Sequence, residues 1–458
     1  MAWLEYKSTA GRAVVLAAVL GSGITTLDAF VVNVALRTIG GDLDASLVEL
    51  QWVTNGYLLS LASLILIGGS LGDRLGRRKV FVFGVVWFAL ASLLCGLAVN
   101  PQMLIASRVL QGIGGALVTP GSLAIIQGSF GPRDRAVAIG AWSSLGAIAA
   151  AAGPFVGGLL IDYASWRWIF FINLPIAAVA IWVARRWVPE SRDEEKEGVF
   201  DVPGAMLVSV ALGLATYSLT AGGWVPGLLG LAAGAAFVAV EARWPWPMVP
   251  LGLFASRTFS ASNAMTLLVY AALGAITFFA VLQLQTVSGY TPLAAGVATL
   301  PITIAILLLA SRGGKLGARI GPRLPMAVGP MVVALGTLML RGIGPDPSYV
   351  LDIAPGMVVV GLGLALLVAP LTSTVLAAAP EHRAGIASGI NNAVARTGAL
   401  LAVAALPFVV GLSGREYDDP VAFDPSYEKA MLICAVLLAL GGLVSWFTIR
   451  NPEPEAAG

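Results

Sequence analysis

The chain has 458 residues, of which 58% are apolar and 11% charged, with two cysteines, one histidine and a formal net charge of +2. Mean hydropathy is +0.87. Soluble domains carry about 25% charged residues, so this composition excludes a soluble globular class, and the near-neutral balance excludes a nucleic-acid partner. Cys95 and Cys434 both sit inside apolar runs and read as packing thiols, with no disulfide and no metal site implied.

Apolar runs of about 20 residues mark bilayer-spanning helices. In chain order they fall near 13–36, 48–71, 80–99, 103–128, 136–161, 168–188, 202–219, 225–240, 259–287, 294–311, 325–340, 353–378, 385–412 and 429–449. The first run is long enough to span and others follow it, so no cleavable signal peptide is expected. The expected fold is therefore an all-α polytopic membrane protein of fourteen helices. The acidic stretch SRDEEKEG after the sixth run reads as a solvated linker.

Basic residues set the orientation. With the N-terminus in the cytoplasm, twenty of the 27 Lys and Arg fall in cytoplasmic segments and five in outer ones, leaving Arg108 and Arg396 inside spans. Both termini are thus expected on the cytoplasmic side, and an odd helix count would scramble the bias.

One polar, glycine-dense interruption recurs. GGSLGDRLGRRKV begins at Gly68 and GGKLGARIGPRL at Gly313, and a shift of 245 superposes Gly68, Gly69, Leu71, Gly72, Arg74, Gly76 and Arg78 on Gly313, Gly314, Leu316, Gly317, Arg319, Gly321 and Arg323. Asp73 aligns with Ala318, so the second copy keeps the glycines and cations and loses the carboxylate. Two related halves follow, a known transporter plan. The expected units are residues 1–188 with six spans, 189–258 with two extra spans, and 259–458 with six spans. No GxxxxGK[ST] phosphate loop is present, so an ATP-driven pump would need a separate ATPase subunit.

Five motifs in order carry a resemblance. They are Gly69-x-Leu71-Gly72-Asp73-Arg74-x-Gly76-Arg77-Arg78, the run Leu27-Asp28-Ala29-Phe30-Val31-Val32-Asn33, Arg108-Val-Leu-Gln111-Gly112, Gly153-Pro154-x-x-Gly157-Gly158, and Trp166-Arg167-Trp168 leading to Asn173-Leu-Pro175. Through them the chain resembles the major facilitator superfamily, and within it the 14-helix drug:proton antiporters. The resemblance implies two pseudo-symmetric six-helix bundles with two helices between them, a bacterial plasma-membrane location, a monomer, and no enzyme activity or cofactor. It implies contact between the first and fourth helices. It also implies that Gly153, Pro154 and Gly157 help to seal the cavity during alternation.

Asp28 lies within an otherwise apolar helix, where a charge is costly and usually functional. Arg108 lies at similar depth on the fourth span and is its expected partner. Burial disfavours a charged carboxylate while a guanidinium favours it, and that competition suits a proton-coupling pair. Gly69, Asp73, Arg74, Gly76 and Arg77 read as a gate, with Asp73 facing the positive end of a helix near Arg383 to Gly385. Cavity candidates are Asn33, Trp52, Asn55, Tyr57, Gln111, Trp142, Phe278, Gln283 and Asn391, joined by Gln127, Asn263, Gln285, Asn392, Tyr270 and Phe279; for any one of them helix packing is an equal reading. Arg396 is a cation with no acid well inside a span of the second half to neutralise it, and it reads as structural. His382 reads as a solvated loop residue.

The function expected is export of an amphipathic small molecule driven by an inward proton gradient. The scarcity of membrane carboxylates points to monocationic or neutral lipophilic substrates. An importer or uniporter for a polar metabolite is the alternative; a membrane-embedded enzyme or receptor has no motif in its favour.

Overall fold

The computed structural model describes residues 3–192, 201–380, 383–412, 414 and 416–451, and fourteen helical segments there are long and apolar enough to cross a membrane. The first six spans are α1 (Thr9–Leu43), α2 (Leu47–Leu75), α3 (Arg77–Gly96), α4 (Pro101–Ser129), α5 (Pro132–Tyr163) and the pair α6 (Trp168–Phe171) and α7 (Asn173–Trp187). Two more follow, α8 (Val202–Ala221) and α9 (Trp224–Glu241). The last six are α10 (Arg257–Thr286), the pair α11 (Pro292–Ala298) and α12 (Leu300–Ile320), α13 (Arg323–Leu340), α14 (Ala354–Ala377), α15 (Ala384–Val409) and α16 (Pro420–Thr448). The acidic stretch at 193–198 and His382 lie outside the described residues.

The repeated glycine loop does the same job twice. A side chain at Gly68 would collide with the Ala116 carbonyl of α4, and one at Gly313 with the Ala365 carbonyl of α14. Small residues let helix backbones approach this closely, so α2 crosses α4 as α12 crosses α14. Eight residues on, Gly76 and Gly321 both take positive φ, 111° and 84°, which glycine alone adopts readily. The next step is matched as well. The Arg78 amide donates to Glu190 Oε1 at 3.1 Å, and the Arg323 amide donates to Asn451 Oδ1 at 3.1 Å. The chain leaving the last helix of each group thus caps the loop after the second helix of that group.

The α1 helix runs seven residues beyond the apolar stretch that marks it. It continues because the polar residues there find partners. Arg37 Nη1 donates to the Gln285 carbonyl at 2.5 Å, and Asp42 accepts from Trp166 Nε1 and Arg167 Nη1, both at 2.8 Å. The α8 helix lies along α2 and α15, while α9 packs chiefly on α8 and is mostly exposed to the surroundings. Their added turns therefore border the seam between the six-helix groups.

That seam is bonded at one end. We call the end of the bundle that carries both chain termini the terminal face and the opposite end the far face. At the far face, Gln285 Nε2 donates to the Val34 carbonyl at 2.9 Å, answering the Arg37 bond in the reverse direction. Gln51 Nε2 reaches the carbonyls of Val403 and Ala404 at 2.7 and 3.1 Å, and Tyr417, fully buried, donates to the Ala45 carbonyl at 2.7 Å. The Leu293 amide donates to Asp162 at 3.2 Å. The hydrogen bonds between described residues of the two groups all lie at this end.

Candidate proton-coupling site

Four helices of the first group converge on one carboxylate. Asp28 sits in the middle of α1 and is 1% exposed; Arg108 on α4 is equally sealed. Arg108 Nη1 donates to Asp28 Oδ2 at 2.5 Å. Asp28 Oδ1 accepts from Gln111 Nε2 at 2.9 Å and from Asn173 Nδ2 at 3.2 Å. Gln111 lies one turn beyond Arg108, and its carbonyl accepts from the same Arg108 Nη1 at 2.6 Å. Ser92 on α3 accepts from Gln111 and Asn173 at 3.2 and 2.9 Å and donates to the Phe170 carbonyl at 2.9 Å. Buried polar groups require such satisfaction.

The guanidinium is held from two more sides. Its Nε donates to the Val53 carbonyl of α2 at 3.1 Å, and its carbon stands 4.4 Å from the Tyr57 ring centroid, a cation–π contact. Tyr57 in turn donates to the Thr25 carbonyl of α1 at 3.3 Å. A pair of this kind, removed from water, persists only when its remaining donors and acceptors are met. Here they are met by neutral amides and hydroxyls, so the pair is the one full charge separation in the cluster.

The α5 glycines press on the same turn of α1. A Cβ at Gly153 would come within 2.9 Å of Phe30, and one at Gly157 within 2.8 Å of Val31. The opposite edge of α5 meets the second group: a side chain at Gly158 would strike Leu293, and one at Gly296 the Pro154 carbonyl. The Gly-Pro segment thus lies between the Asp28 turn and α11.

At the end of α2, Asp73 accepts from Arg77 Nε at 3.0 Å and pairs with its Nη2 at 3.0 Å. Arg74 is partly buried beside it, and Gly69 stands in ordinary contact with Pro120 of α4. The Arg77 amide also donates to the Ser191 carbonyl at 2.9 Å.

The cavity candidates do not form one surface. Tyr57 and Gln111 belong to the Asp28 cluster. Phe278 and Gln283 are interior to the second group, where Gln283 Nε2 donates to the Ile343 carbonyl and to Asp424 Oδ1 at 2.6 and 2.5 Å, pinning α10 to α16. Trp142 donates to Ser22 at 2.9 Å, and Asn33 to the Ala29 carbonyl of its own helix at 2.9 Å. Asn391 bonds Asn263 and Thr266 on α10 at 3.1 and 2.9 Å. Trp52 is partly buried, and Asn55 is fully buried with both amide atoms unpartnered. Asn173 and Ser92 had no claim on the site from sequence. Asn173 stood only within a motif, and an uncharged polar residue in a span gives no signal of its own.

Comparison with known proteins places this arrangement. Residues 18–403 match the family described as the Major Facilitator Superfamily. The chain is 36% identical to the methylenomycin A resistance protein of Bacillus subtilis (strain 168), over 99% of this chain and 97% of that one. It is 35% identical to the tetracenomycin C resistance and export protein of Streptomyces glaucescens, over 85% of this chain and 74% of that one. An auto-inhibited POT family peptide transporter shares the fold with a TM-score of 0.71 at 14% identity, covering 97% of this chain and 99% of that one. The chain belongs to the Major Facilitator Superfamily of membrane transporters.

Proposed function

We propose that the protein is a proton-coupled exporter of amphipathic small molecules, multi-pass in a bacterial plasma membrane with both termini cytoplasmic. The sealed Asp28–Arg108 pair carries the reading, supported by relatives named for antibiotic resistance and export. In this orientation the bonded far face is the outer side, and the structure represents a state with outside access shut.

The chemistry follows from the donors around Asp28. Three of them favour its charged form. Taking up a proton removes the anion and leaves Arg108 a lone buried cation, which is strongly unfavourable. The helices bearing the two groups, α1 and α4, then gain by moving apart or by admitting another acceptor. Movement of the Asp28 turn is passed to α5 through Gly153 and Gly157, and from α5 to α11 through Gly158 and Gly296. On the cytoplasmic side, Asp73 exchanges Arg77 for the start of α15 near Arg383 to Gly385 when that side closes. A panel of efflux assays in a drug-sensitive host, with and without an uncoupler, tests the reading: export that survives collapse of the proton gradient rules it out.

A further inference from the structure

One cation midway along a spanning helix of the second group has no ion-pair partner among the described residues. Asp28 and Arg108 cancel, whereas Arg396 makes no hydrogen bond and no ion pair among the described residues. It stands halfway along α15, about 18 Å from the helix start at 1.5 Å per residue, and is partly exposed. The α15 helix packs against α2 of the first group and against α10 of the second, so Arg396 lies on a helix at the seam where the groups meet. Asn392, one turn away on the same face of α15, is exposed.

The register of α2 against α15 supplies a second polar group. Gln51 meets Val403 and Ala404, and a Cβ at Gly389 would come within 2.7 Å of Leu66. The antiparallel spacing between these contacts sets Asn55 opposite Ala399 and Leu400, beside the turn that bears Arg396. Asn55 is 0% exposed, and both its amide atoms lack a partner.

An intramembrane arginine with no counter-charge is costly and marks a substrate or ion path. We propose that Arg396 binds the anionic group, a carboxylate or ionised phenol, of an amphipathic substrate lodged between the two groups of helices. Guanidinium matches such oxygens in a planar, two-pronged contact, and the two helices packed on α15 from either group, α2 and α10, carry Tyr57 and Tyr270. Asp28 does not compete, because its oxygens are already occupied by Arg108, Gln111 and Asn173. This proposal names the substrate class for the exporter reading and rests on it. It replaces the monocation expected from the scarcity of acids: the unpaired charge at the seam is positive and repels a cation.

The test uses the full-length protein in nanodiscs of zwitterionic lipid, without any gradient, and two probes of one shape. Dansylglycine carries a carboxylate and dansylglycinamide is its neutral analogue. Wild type is expected to bind the carboxylate at least about tenfold more tightly, the scale of a hydrogen bond to a charged group. Arg396→Gln loses that preference while still binding the amide, which shows the variant is folded, and Arg396→Lys keeps most of it. Asp28→Asn retains the preference whether or not it transports, so a failed coupling assignment is read separately. A wild type that binds the amide as tightly as the carboxylate, or binds neither, overturns the proposal, as does an undiminished preference in Arg396→Gln.

Discussion

Arg108 and Asp28 meet at 2.5 Å with side chains 1% and 0% exposed, although they lie 80 residues apart on different helices. Each is the other's only formal counter-charge in the cluster, and this mutual dependence generates the first expectations.

Removing the cation alone should be worse than neutralising both members of the pair. Arg108→Ala leaves an ionised carboxylate buried with neutral donors only, a change worth about 3–5 kcal/mol. Thermal unfolding in detergent is expected to show Arg108→Ala markedly destabilised and Arg108→Ala/Asp28→Asn partly restored. Equal stability of the single and double variants would mean the pair is not coupled.

Asn173 is expected to act through Asp28. Asn173→Ala removes a donor to Asp28 Oδ1 and to Ser92, so the Asp28–Arg108 pair loses part of its support. Gradient-driven efflux should fall while expression stays near normal. A gradient-driven rate identical to wild type would make Asn173 a packing residue.

Much of this was legible from sequence, for a physical reason. Charges in lipid are expensive, so Asp28, Arg108 and Arg396 announce themselves, and the recurring glycines at Gly68 and Gly313 report a helix crossing used twice. Uncharged polar residues carry no such signal. Asn173 and Ser92 looked like their neighbours, while Gln283 looked like cavity lining and instead pins α10 to α16. Helix ends were equally hidden, because Arg37 and Asp42 extend α1 through partners distant in sequence.

The far-face seal predicts a bias that can be moved. Tyr417 fills the space beside Gly40 and Ala45, and loss of a buried aromatic ring costs about 3–5 kcal/mol. Tyr417→Ala is therefore expected to raise labelling of single cysteines placed on the far-face side of the seam and to lower it on the terminal side. Asp73→Asn should act at the other gate, favouring inward-facing states, whereas Ala318→Asp in the matching loop should produce no opposite bias. Labelling patterns unchanged from wild type would count against these gates.

Charge bookkeeping separates substrate classes. With one proton entering per cycle, export of a monocation moves no net charge, a neutral compound moves one and a monoanion two. The membrane potential supplies about 2.3 kcal/mol per charge per 100 mV. If Arg396 binds an anionic group, efflux at equal internal and external pH should accelerate steeply as valinomycin-set potentials become more negative on the cytoplasmic side. Export indifferent to potential would point back to a monocation.

In the proposed mechanism Asp28 carries the proton. The direct measurement is efflux of an established substrate from proteoliposomes under an imposed pH gradient, for wild type and Asp28→Asn, with substrate binding measured on the same preparations. Asp28→Asn is expected to bind substrate yet to transport no faster with the gradient than without it. Gradient-driven efflux at the wild-type rate in Asp28→Asn would contradict it.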